Sequence, residues 1–119
     1  MDRNLSLLYE SLFTILNREL AIYREMEGVL QNEKKAIVQC SLTVLTQNNQ
    51  LKEEMVMRAA ALERSRMEVV GQIAAHLRVS PEVINLTHLM GYLQVSEQER
   101  LRRFQVELKE MTLKIKTLN

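Results

Sequence analysis

From Leu5 to Ile37 the apolar residues recur every seven positions, and this repeat constrains the fold more than any other feature. With position a at Leu5, Leu12, Glu19, Met26 and Glu33, position d falls at Leu8, Ile15, Ile22, Val29 and Ala36. Position e is then Tyr9, Leu16, Tyr23, Leu30 and Ile37. Glu19 and Glu33 are the only charged residues in these three columns. The spacing predicts a helix from about Leu5 to Val38, roughly 50 Å long at ~1.5 Å per residue. A stripe of a, d and e is wider than a two-stranded seam needs, so it is expected to meet more than one neighbour. Gly28 lies within the register and does not break it; inside a helix it costs about 1 kcal/mol relative to Ala.

Turn residues are too scarce for a sheet. Three Gly and one Pro are the whole supply, and strands need turn signals every ~8–12 residues. The 119 residues suit one domain, 1–119, with no room for a separate catalytic unit. Lys and Arg number 16 against 15 Asp and Glu, so no global field draws the chain to nucleic acid or to a lipid surface. One Cys excludes an internal disulfide framework. The start, Met1-Asp2-Arg3-Asn4, carries no basic and apolar leader pattern. No apolar run approaches the ~20 residues of a membrane span. A cytoplasmic protein without membrane insertion is expected.

A second periodic segment, Leu42 to Leu77, follows Gln39-Cys40-Ser41. Ser41 is a candidate N-cap. Without a turn here, residues 5–77 would form one rod of about 110 Å, which could bury its stripe only by oligomerising. A fold-back at 39–41 pairs two helices of nearly equal length, 5–38 and 42–77. Gln47-Asn48-Asn49-Gln50 is the competing turn. Ser80-Pro81-Glu82 then opens a short third helix, 81–90, with Ser80 as N-cap, Pro81 at the first helical position and Val79 and Ile84 at staple spacing. Gly91 is placed just past its end. Ser96-Glu97-Gln98-Glu99 reads as a capping box opening a fourth helix, 97–118. Its apolar seam is Leu101, Phe104, Leu108, Met111, Ile115 and Leu118, spaced three and four apart. The seam still runs at Leu118, which leads to the expectation of a C-terminal tail beyond Asn119. The fold class is all-α: a long antiparallel hairpin with the short helix and the fourth helix packed on it as a coiled-coil-like bundle.

This order of parts resembles the FlgN family of flagellar type III export chaperones. The resemblance covers nearly the whole chain. It rests on the Leu/Glu-rich first helix with Glu19, Glu25 and Glu33, on Leu62-Glu63-Arg64-Ser65-Arg66-Met67, on Ser80-Pro81-Glu82 and on Ser96-Glu97-Gln98-Glu99. The family usually has a Gly-Asp-like pair at the first turn, where this chain has Cys40-Ser41. The resemblance implies a cytoplasmic, ATP-independent chaperone. Its clients would be hook-associated proteins of the hook–filament junction, delivered to the flagellar export apparatus. It also implies that binding is placed chiefly in a tail past Asn119.

Two apolar surfaces are candidates for holding an amphipathic client helix. One is the seam Phe104, Leu108, Met111, Ile115 and Leu118. The other is the stripe Tyr9, Leu16, Tyr23, Leu30 and Ile37. They compete, because the fourth helix packing on that stripe makes both ordinary core. Met26, Met55 and Met111 fall on the stripes, whereas Met57 and Met67 fall off them. His76, His88 and Cys40 have no partners at ligand or nucleophile spacing, so no metal, cofactor or catalytic residue is expected. A homodimeric coiled-coil scaffold remains the alternative. A small helix-turn-helix regulator using Arg100, Arg102 and Arg103 is a third reading, countered by the flanking Glu97, Glu99 and Glu107.

Overall fold

A computed structural model describes residues 3–80 and 85–118. These residues form four helices: α1 (Arg3–Val38), α2 (Leu42–Leu77), α3 (Leu86–Met90) and α4 (Val95–Leu118). The long helices have 36 residues each and fold back on one another. At ~1.5 Å per residue each spans about 54 Å. That accounts for the longest dimension of the molecule, 56 Å, against 23 and 22 Å across.

The fold-back falls at Gln39–Ser41, and its chemistry is local. Ser41 caps α2 with its hydroxyl, which accepts from the Val44 N–H at 3.4 Å. Cys40 stands at φ 55°, a left-handed conformation that glycine adopts most easily. This lets the Ser41 N–H reach the Ala36 carbonyl (2.9 Å) and the Cys40 N–H reach that of Ile37 (3.2 Å), closing the end of α1 as a Schellman motif. The far end of α2 repeats the device. Arg78 has φ 56°, and the Val79 N–H bonds the Ala74 carbonyl at 3.0 Å. The Gln47–Gln50 segment, the competing turn, lies inside α2. Asn48 there is buried and donates to the Val29 carbonyl across the hairpin at 3.4 Å.

The two charged residues of the first stripe, and Glu25 beside it, have partners on α2. Glu33 pairs with Lys52, Glu25 with Arg58 and Glu19 with Arg66. From Glu19 to Glu33 the pairs climb two heptads of α1 while their partners descend two heptads of α2. The antiparallel register is therefore written in complementary charges.

The apolar core is unevenly distributed. The large cluster lies at the base of the hairpin, around Tyr9, Leu12, Leu16 and Ile73, with Leu89 and Leu93 closing it from the α3 side and Leu101 and Phe104 from α4. Towards the hairpin tip only Ile22, Val29 and Met55 form a second, smaller cluster.

The expected start of the third helix at Pro81, with Ile84 as staple partner, lies outside the described residues, which end at Ser80 and resume at Asn85. Within them α3 is capped by Asn85, whose side chain accepts from the His88 N–H at 2.8 Å. α4 begins at Val95, two residues before the expected helix start at Glu97. Glu97, not Glu99, reaches back, accepting from the Gln94 N–H at 3.1 Å. Gln98 then donates to the Met90 and Leu93 carbonyls at 3.0 and 3.2 Å, tying the α3–α4 connection to the helix. Gly91 follows α3 with φ −66°, so its left-handed freedom is unused.

Candidate functional site

α4 lies along α1 in the same direction, with ion pairs along its polar edge. Arg100 pairs with Glu10 near the base, and its guanidinium sits 4.2 Å from the Phe13 ring centre. Two turns further along α4 and four along α1, Glu107 pairs with Arg24 at 2.6 Å, the long Arg side chains spanning the difference. These pairs are exposed, so each contributes little energy.

Most of the two expected surfaces face each other. Tyr9 and Leu16 from the stripe, and Phe104 and Met111 from the seam, are buried in the base cluster, with Leu108 packed against it. Here the two candidate surfaces are one internal contact. Further up, the pairing opens. Tyr23 is 38% exposed and Ile37 58% exposed, while Leu30 is buried. Ile115 and Leu118, near the end of α4, are half-buried.

The remnants of both surfaces meet in a groove of about 300 Å3. Tyr23, Met26 and Leu30 of α1 form one wall, Met55 and Val56 of α2 the other, and Ile115 of α4 lines it as well. The groove therefore lies beside the last turns of α4, which runs on to Leu118. Ile37, Val38 and Leu42, around the fold-back, are exposed. Sequence reasoning named Tyr23, Leu30 and Ile115 but missed Val56, which is off the periodic stripe of α2 and 62% exposed.

The electrostatics around this site are structural in character. Burial raises the pKa of Glu19, and the Arg66 guanidinium only partly offsets it. One Glu19 oxygen is buried without a hydrogen bond, since Arg66 Nε lies 3.6 Å away. Glu25 behaves oppositely: its hydrogen bonds from Arg58, at 2.9 and 3.0 Å, hold its carboxyl below the usual range. Burial, reinforced by the charge of Glu97, raises the Tyr9 phenol. Among the described residues no three His, Cys, Asp or Glu side chains gather where a metal ion could be held. Among the described residues no helix is long and apolar enough to cross a membrane. What this geometry offers is an apolar groove between helices, suited to binding another helix.

Comparison with known proteins agrees with that character. No curated protein and no solved structure matches the chain. The sequence model of the family described as FlgN protein matches residues 1–119, and that family is one of chaperones rather than enzymes. The chain belongs to the FlgN family and is, in general terms, a flagellar export chaperone.

Proposed function

We propose that the chain is a cytoplasmic chaperone for hook-associated proteins, holding an amphipathic terminal helix of the client and bringing it to the flagellar export apparatus. The supporting observation is the groove of Tyr23, Met26, Leu30, Met55, Val56 and Ile115 beside the last turns of α4. A client helix laid there and running on towards the fold-back would cover the exposed Ile37 and Val38. Phe104, Leu108 and Met111, facing Tyr9 and Leu16, hold α4 in place in this reading. The client contacts fall to Tyr23, Leu30, Ile37, Ile115 and Leu118. Methionines in the wall suit such a task, because an unbranched thioether side chain repacks around different partners. A client that folds as it binds gives up ordering entropy, which keeps affinity moderate and release free of chemistry.

The test is calorimetric titration of the chain with a terminal helical peptide of a hook-associated protein. The Tyr23→Ser/Val56→Ser double variant replaces two exposed walls and should keep its circular dichroism spectrum. At least tenfold weaker binding is expected from it. Wild-type chain that gives no heat and no co-elution would overturn the proposal.

A further inference from the structure

α4 has a second seam, on the side turned away from α1. Its inner residues, Leu101, Phe104, Leu108, Met111 and Ile115, are buried or half-buried. On the opposite face stand Arg102, Val106, Lys109, Leu113 and Lys116, spaced four, three, four and three apart. All five are exposed, Val106 and Leu113 each by 57%. The face thus carries a cation every seven residues at Arg102, Lys109 and Lys116, beside an apolar residue every seven at Val106 and Leu113. Each repeat is about 10.5 Å of helix. Among the described residues, none of these three cations takes part in an ion pair, whereas Arg100 on the flank is held by Glu10.

We infer that this outer face of α4 is a docking surface for an acidic amphipathic helix of another protein. The occupant would place apolar side chains over Val106 and Leu113 and carboxylates, seven residues apart, over Arg102, Lys109 and Lys116. The argument is charge complementarity in register. Long Lys and Arg stems can lie along apolar surface while their heads reach a partner's carboxylates. Oppositely charged flanks set partner choice between helices. A second copy of the chain does not fit. Antiparallel pairing of two such faces about Lys109 would put Arg102 against Lys116 and Lys109 against itself, cations throughout. A lipid surface fits less well than a helix, because a bilayer needs no seven-residue register and Glu99 and Glu110 border the stripe. This surface is separate from the groove proposed for the client, so the two stand or fall independently.

The test uses the whole 119-residue chain and a designed helical peptide of four heptads, with Leu along one seam and Glu beside it. A control peptide has Lys at the Glu positions. Binding is read by fluorescence anisotropy at low and at physiological salt. The acidic peptide should bind, weaken with salt, and lose at least tenfold affinity to Arg102→Glu/Lys109→Glu/Lys116→Glu. Val106→Ser/Leu113→Ser should weaken it several-fold. The Lys peptide should not bind. These five side chains are exposed, so the variants should retain the wild-type circular dichroism spectrum and melting temperature. The Tyr23→Ser/Val56→Ser variant should bind the acidic peptide normally. Equal binding of both peptides, or of the acidic peptide to the charge-reversed chain, would overturn the inference. So would binding confined to anionic phosphatidylglycerol vesicles, or self-association that the charge reversal abolishes.

Discussion

The base and the tip of the hairpin are built from the same two helices with the same heptad repeat, yet they are packed differently. At the base α1 meets α2 on one side and α4 on the other, with α3 across the end, and Tyr9, Leu12 and Leu16 are almost fully buried. Further along, the buried cluster of Ile22, Val29 and Met55 comes from α1 and α2, α4 adds Ile115 at an open groove, and Tyr23 and Ile37 of the apolar columns stay exposed. The difference teaches what the extra stripe is for. At the base it is spent on folding; at the tip it is left available. Stability and recognition are thereby separated along one helix.

The largest test of this contrast is core truncation. Leu12→Ala removes a side chain with no exposed surface at the centre of the base cluster. It should cost about 3–4 kcal/mol, the upper part of the range for a site that cannot collapse. Met55→Ala, in the small second cluster, should cost about 2 kcal/mol, because a small cluster beside an open groove relaxes into the space more readily. Urea denaturation midpoints at unchanged slope measure both. Equal losses would mean that the tip is as closely packed as the base, and the contrast would fail.

Backbone substitutions come next and should act in the opposite direction. Gly28 is exposed within α1, and an added Cβ there meets nothing within 4 Å. Gly28→Ala should stabilise the helix by up to about 1 kcal/mol. Cys40→Gly replaces a residue strained at φ 55° with the one best suited to it, for a net gain of about 0.5–1 kcal/mol. Amide hydrogen exchange should show the added protection concentrated around the tip, in residues 24–50. Gains spread evenly over α4 would show that base and tip open as one unit.

The smallest effects are electrostatic and have opposite signs. Glu19 has a raised folded pKa because it is buried, so its contribution to stability is full below the ordinary glutamate value. It is lost as the pH rises through the raised value. Glu25 has a lowered pKa because Arg58 bonds its charged form. Its contribution is present above the ordinary value and is lost as the pH falls through the lowered one. On acidification from pH 7 to 4, the wild type should therefore gain on Glu19→Gln and lose ground to Glu25→Gln. Stability curves of the three chains across that range decide it, and a shared sign would show that one of the two local environments is misjudged.

Much of this was legible in the sequence because the signals are local. Ser41 marks the start of α2, and the length match of the two helices marks the hairpin. Glu19 and Glu33 looked like interruptions of the stripe; their meaning needed Arg66 and Lys52, which lie far away in sequence. The start of α4 was misplaced by two residues because Glu97 and Glu99 both stand at plausible capping distances, and only the path of the preceding loop selects Glu97. Asn48 looked like a turn residue and is a buried cross-hairpin donor, a role that exists only once Val29 is beside it.

The candidate site divides along the same line. The heptad columns by themselves determined that the chain is helical, that it folds back near Cys40, and that α1 and α4 each carry an apolar seam. Those properties follow from side-chain order along a helix, where residues three and four apart share a face whatever surrounds them. Which seam residues would be covered was decided by tertiary structure alone. α4 follows α1 from the base and ends beside Tyr23 and Leu30, so Tyr9 and Leu16 become core while Tyr23 and Ile37 stay open. Periodicity records which face of a helix is apolar, but how far a neighbour extends along that face depends on where the packed helices start and stop in space.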